Sequence, residues 1–129
     1  MITIKDIEKI LIADMSKLIG VSSIYVTDDI PSGNVTEERV TIHVKAISNQ
    51  PIFKKCFVEV NWCVPDNEGV INHERLGEVE CQMSDLLESV GEYDNTTYRY
   101  SIESEEVIKS ELRCHYVNIR LLFEILNVK

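Results

Sequence analysis

"LRCHYVNIRLLFEI" (Leu112–Ile125) decides the architecture of this 129-residue chain. Val117, Ile119, Leu121, Phe123 and Ile125 recur at every second position with no polar interruption, and a period of two puts them all on one face of a β-strand. A face that apolar has no stable place against water, so it is the core face of a sheet. Leu112, Cys114, Tyr116 and Leu122 give the same strand a second, partly apolar face. A second run, "IFKKCFVEVNWCV" (Ile52–Val64), behaves alike. Cys56, Val58, Val60, Trp62 and Val64 line one side, while Phe53, Phe57 and Cys63 lie on the other. Strands that are apolar on both sides ask for cover on both.

The flanking segments supply the first layer of cover. Thr3 is placed to cap a helix, with Asp6 completing a capping box, and Ile4, Ile7, Ile10, Leu11, Met15 and Leu18 follow at helical spacing until Gly20 stops it. Ser23–Thr27 reads as a short strand and "DDIPSGNVTEE" as a loop built on Pro31, Gly33 and Asn34. Val40, Ile42, Val44 and Ala46 alternate with Thr41, His43 and Lys45 in a strand over Arg39–Ile47, which "SNQP" turns. After "PDNEG", Asn72 caps a second helix whose entry is stapled by Ile71 and Leu76. Its apolar stripe is Leu76, Val79, Met83, Leu86, Leu87 and Val90, its wet side is acidic, and Gly91 ends it. A strand over Thr97–Glu103 and an acidic connection lead into the final strand. The order α-β-β-β-α-β-β predicts an α+β fold, a mostly antiparallel sheet of about five strands with two helices packed on one face. Residues 1–129 form a single domain at this length.

Composition narrows the function classes. Apolar residues are 44% and charged residues 27% of the chain, values of an ordinary globular protein. Twenty-two acids against 13 bases leave a net charge of −9, with no basic cluster beyond Lys54-Lys55. Direct nucleic-acid binding through many phosphate contacts is therefore not expected. The N-terminus "MITIKDIEKILIADMSKLIG" scatters charges through its apolar residues, and no run reaches the roughly 18 apolar residues of a spanning helix. No membrane insertion and a cytoplasmic setting follow as expectations, and there Cys56, Cys63, Cys81 and Cys114 are expected to be free thiols.

The residues that could carry chemistry do not assemble into a motif. Cys56 and Cys63 point to opposite faces of one strand, as do the neighbours Cys114 and His115, whereas structural zinc sites draw on close pairs. The cysteines read as small, inert core residues. No nucleophile elbow and no glycine-rich phosphate cradle is present, and His43, His73 and His115 stand apart in sequence. Asp28-Asp29 with Glu37-Glu38 read as a solvated acidic loop in preference to a cation site. No catalytic, metal-binding or cofactor-binding residue is assigned, and the chain is expected not to be an enzyme.

A helix, "IYVTDDIPSG", the strand "RVTIHVKAI", a further strand "FVEVNWCV", the helix "HERLGEVECQMSDLLESV" and a closing strand pair resemble the tail-completion, or tail terminator, proteins of long-tailed phages. The likeness covers nearly the whole chain in element order and is anchored in a D-x-P-x-G loop, here within "DDIPSG" at Asp28–Gly33. It implies a virion structural protein without catalysis. Identical subunits would form a ring, typically a hexamer, that closes the tail tube and joins other tail or connector proteins, in the bacterial cytoplasm and then in the virion. The loops here are shorter and more acidic than is usual in that family. Asp28, Asp29, Ile30, Pro31, Phe53, Phe57 and Tyr116 are the expected subunit interface. The alternative is a small cytoplasmic adaptor that binds another protein through the same two-sided strands.

Overall fold

The computed structural model describes residues 2–18, 20, 23–49, 53–88 and 98–126. Its elements are α1 (Ile4–Met15), β1 (Ile24–Val26), β2 (Arg39–Val44), β3 (Ser48–Asn49), β4 (Phe53–Pro65), α2 (His73–Glu88), β5 (Tyr98–Ser110) and β6 (Cys114–Leu126). The α+β order is the expected one with the two-residue β3 added where "SNQP" was expected only to turn. The strands run β1-β2-β4-β6-β5 across the sheet, and β3 pairs with β4. The sheet is mixed, which corrects the mostly antiparallel expectation. β1 lies parallel to β2, while the remaining pairings are antiparallel. A parallel neighbour needs a crossover of about a dozen residues, and residues 27–38 provide it without a helix.

Both helices start as the sequence implies. Thr3 Oγ1 accepts the Asp6 N–H at 3.2 Å and Asp6 Oδ2 accepts the Thr3 N–H at 2.8 Å, so the capping box is closed. Asn72 Oδ1 accepts the Arg75 N–H at 3.2 Å at the start of α2. The far end of α1 differs from expectation. Helix α1 stops at Met15, because Ser16 Oγ donates back to the Ile12 carbonyl at 2.6 Å and Lys17 and Leu18 close tighter turns. Gly91, Val90 and Thr97 lie outside the described residues.

The main core is one cluster between the sheet and the helices. Val40 and Ile42 of β2, Cys56, Val58, Val60, Trp62 and Val64 of β4, and Val117, Ile119, Leu121, Phe123 and Ile125 of β6 form its floor, with Tyr100 from β5. Ile7, Leu11 and Met15 from α1 and Leu76, Val79, Met83 and Leu87 from α2 form its roof. Both helices therefore cover the same face. Ile4 is the exception in the α1 stripe and stays 40% exposed. Phe123 is fully buried and stacks between Tyr98 and Tyr100, with ring centroids 5.9 and 4.8 Å away. The Tyr100 hydroxyl donates to Asp14 Oδ2 at 2.7 Å and ties β5 to α1, and burial with this bond pushes the phenol above its ordinary pKa.

A polar clamp fixes where the crossover re-enters the sheet. Glu38, the residue before β2, accepts from Arg75 Nε at 2.8 Å and Nη2 at 2.9 Å and from Trp62 Nε1 at 3.0 Å. The Arg75 guanidinium also lies over the Trp62 ring at 5.5 Å, so one carboxylate joins α2, β4 and the crossover. Gly20 makes room for this clamp. Its φ is +90°, and a Cβ there would stand 3.2 Å from Arg75 Nη2.

Two measurements check these contacts. Phe123→Ala should cost about 3–5 kcal/mol in urea unfolding, and a loss below about 1 kcal/mol would show that the ring is not a core residue. Glu38→Ala strands the buried Trp62 N–H and should cost about 1–3 kcal/mol, whereas Glu38→Gln, which keeps an acceptor, should lose less. Equal losses for the two would discount the Trp62 bond.

Candidate functional site

The face opposite the helices is built from the alternate residues of the same strands, and the register places them in rows across the sheet. The first row is Arg39, Cys63, Tyr116 and Ile108 on β2, β4, β6 and β5. The second is Thr41, Asn61, Asn118 and Glu106, the third His43, Glu59, Arg120 and Ser104, and the fourth brings Phe57 beside Leu122 and Ser101. Among the described residues no helix covers these rows. The crossover reaches over the first row, where Val35 is buried with Cys63 and Cys114 beside Leu112, and its N–H donates to the Leu112 carbonyl at 2.9 Å.

The two-sidedness read in the strands is thus apolar at its ends and polar in the middle. Asn118 Nδ2 donates to Asn61 Oδ1 at 2.6 Å, and Asn61 Nδ2 donates to Thr41 Oγ1 at 3.4 Å. Thr41, Asn61 and Asn118 are 5%, 8% and 5% exposed, and polar groups that deep are tolerated only when bonded. In the next row the Arg120 guanidinium sits 4.2 Å over the Phe57 ring, and Lys45 pairs with Glu59 at 3.4 Å. Burial, and then Lys45, hold His43 below its ordinary pKa, while burial raises the Tyr116 phenol.

The expected interface residues fall in different places. Asp28 and Asp29 make the turn after β1, in which the Asp29 N–H donates to the Val26 carbonyl at 3.1 Å and Asp28 takes φ +77°, a left-handed conformation that Asp tolerates. They lie near the start of α1. Lys5 is raised above its ordinary pKa chiefly by Glu8, with Asp29 and Asp28 adding to it. Ile30 and Tyr116 are brought together, lining one small cavity with His43, Asn61 and the two buried thiols. The Pro31 carbonyl accepts from Arg39 Nη1 at 3.4 Å. Phe57 is half-buried about 20 Å along β4 from the Cys63–Tyr116 row, at about 3.3 Å per residue. Phe53 enters β4 through its backbone, and its side chain lies outside the described residues. The polar ladder of Thr41, Asn61 and Asn118 was not picked out in the sequence, although each sits at an open-face position of its strand.

No family model matches this chain, and no curated protein does. Solved structures do resemble it. One solved chain matches at a TM-score of 0.57 over 95% of this chain and 97% of that chain, with 11% of residues identical. At that identity the likeness shows a shared fold and nothing further.

Asn61 is the middle of the ladder, so Asn61→Ala should leave Asn118 and Thr41 without partners and cost about 1–3 kcal/mol in urea unfolding. A cost under about 0.5 kcal/mol would mean that water replaces the amide on this face.

Proposed function

We propose that the chain is a non-enzymatic structural subunit of a phage or prophage particle, a tail-completion component that associates with copies of itself into a ring at the head–tail junction. The observation that carries this reading is the open face. It holds Phe57, Leu122, Tyr116 and Ile108 around a hydrogen-bonded polar ladder, and the described helices both lie on the other side. These four side chains are only half-buried, and apolar groups left partly uncovered on one sheet face are what an interface would cover. The resemblance in element order adds to it, since the D-x-P-x-G loop becomes the crossover that folds over one end of that face. Other tail or connector proteins would dock on the ring, which would pass from the bacterial cytoplasm into the virion. Among the described residues no helix is long and apolar enough to cross a membrane.

Charge sets the conditions. Each subunit carries −9, so like charges repel over about 30 Å at 0.01 M salt and only about 8 Å at 0.15 M. An interface of roughly 800 Å² per partner, at about 25 cal/mol for each apolar Å², outweighs a few screened repulsions. Association should therefore strengthen from 0.01 to about 0.15 M salt. Sedimentation velocity across that range should show a concentration-dependent assembly that Phe57→Asp weakens. A wild type that stays monomeric at every concentration and salt, and that Phe57→Asp leaves unchanged, would overturn the ring.

A further inference from the structure

We propose that Cys114 and Cys63 form an oxidant-reactive dithiol, a modification site that takes a hydroperoxide and closes into a reversible disulfide. This chemistry does not depend on assembly. Register alone brings the parts together. Arg39 is opposite Cys63, Ser110 is opposite Cys114, and the two cysteines face Tyr116 and Pro65 on each other's strands. Arg39, Cys63, Cys114 and Ser110 thus lie in one line over β2, β4, β6 and β5 on the open face, with the two thiols as diagonal neighbours.

The surroundings suit a thiolate. Cys63, the Ser110 hydroxyl and the charge of Arg39 all lie close enough to Cys114 to favour its thiolate. Arg39 Nε is buried with no hydrogen-bond partner among the described residues, so its charge is available to a sulfur anion. Cys114 is held below the ordinary thiol pKa by Cys63 first and then by Ser110 and Arg39, against burial and Asp66, while Cys63 is held above it by Cys114 and by burial, against the pull of Arg39. Cys56 lacks such an arrangement. Burial pushes it up to about 11, and its S–H donates to the Lys45 carbonyl at 3.1 Å.

A cavity of about 160 Å³ lies against both thiols, lined also by Ile30, Val35 and Leu112 of the crossover and hairpin. It is large enough for hydrogen peroxide, whose chemistry then closes without another reactant. The Cys114 thiolate attacks one peroxide oxygen, an S–O bond forms, the O–O bond breaks, and hydroxide leaves and takes up the Cys63 proton as water. The Cys63 thiolate attacks the sulfenic sulfur, an S–S bond forms, the S–O bond breaks, and the departing hydroxide takes up a proton. Two thiols are oxidised by two electrons and the peroxide is reduced to two waters. Diagonal Cα atoms stand about 7–8 Å apart, just beyond the reach of about 7 Å for a disulfide, so closure draws the end of β4 toward the start of β6. Both are strand ends beside the hairpin turn at 111–113, where the ladder can yield.

The test uses the full chain with Cys81→Ser, because Cys81 is exposed on α2 and would consume oxidant. After hydrogen peroxide at neutral pH, alkylation in denaturant and peptide mapping should find Cys63 linked to Cys114 and Cys56 still reduced, the pair reacting at least roughly tenfold faster than Cys56. Dithiothreitol should restore both thiols. Adding Cys63→Ala should stop Cys114 at a sulfenic acid that dimedone traps, and Cys114→Ala should leave Cys63 reduced. Finding Cys63 and Cys114 reduced under conditions that oxidise the unfolded chain would overturn the proposal, as would equal oxidation of Cys56. Because this mapping is done on the chain with its cysteine pair intact, it discriminates even if a variant fails to fold.

Discussion

Two strands of 13 residues, β4 and β6, lie in unbroken antiparallel register, with Phe53 opposite Leu126 and Pro65 opposite Cys114. Because side chains alternate, a slip of one residue would turn Trp62, Val60 and Val58 out to the open face and put Asn61, Glu59 and Phe57 under the helices. The apolar run of β6 makes that slip prohibitive. Every other element is located by this pair. β2 reads its register from β4, β5 reads its register from β6, and the Glu38 clamp engages Trp62 at the position that the ladder gives it.

The two edges of the sheet are handled differently, and the difference bears on assembly. β1 has only three residues and offers a neighbour little backbone. β5 is long, yet it carries a bulge between Ile102 and Ser104 and acids at Glu103, Glu105 and Glu106. Charges and a bulge are the usual means of keeping an edge strand from pairing with another chain. Copies that met edge to edge through β5 would bring these acids together. Association through the open face avoids that repulsion and uses side chains rather than backbone bonds.

Most of the fold was legible because its signals are local: the capping box at Thr3, the cap at Asn72 and the pure alternation of β6 each lie within a few residues. What was missed depends on partners far along the chain. β5 was expected to end at Glu103, and it runs on to Ser110 because an edge strand accepts charge on its exposed positions. The bulge also breaks the alternation, since Tyr98, Tyr100 and Ile102 share the helix side with Glu105, Val107 and Lys109, an odd step that a period of two does not reveal. Glu38 with Trp62 and Arg75, Asp14 with Tyr100, and Asp66 with His115 at 2.7 Å join residues with no sequence signature in common. The candidate face was legible as a set of strand positions, but not as rows, because rows exist only once the register is known.

The same register explains why three buried cysteines of one chain differ in chemistry. Cys56 lies on the helix side among hydrocarbon, where a thiolate would lose its solvation and face two carbonyls, of Lys45 and Phe57, to which it cannot donate. Cys63 and Cys114 lie on the open side, where the rows supply Arg39 and Ser110 as the alternate residues of the flanking strands. Replacing Arg39 by Gln keeps a side chain of similar reach and removes the cation. Reactivity that depends on the row should then fall, while the core side of β2, set by Val40 and Ile42, is untouched. A fold with helices on both faces would have surrounded all three thiols with hydrocarbon. Leaving one face to side-chain polarity is what lets a strand hold an inert cysteine and a reactive one seven residues apart.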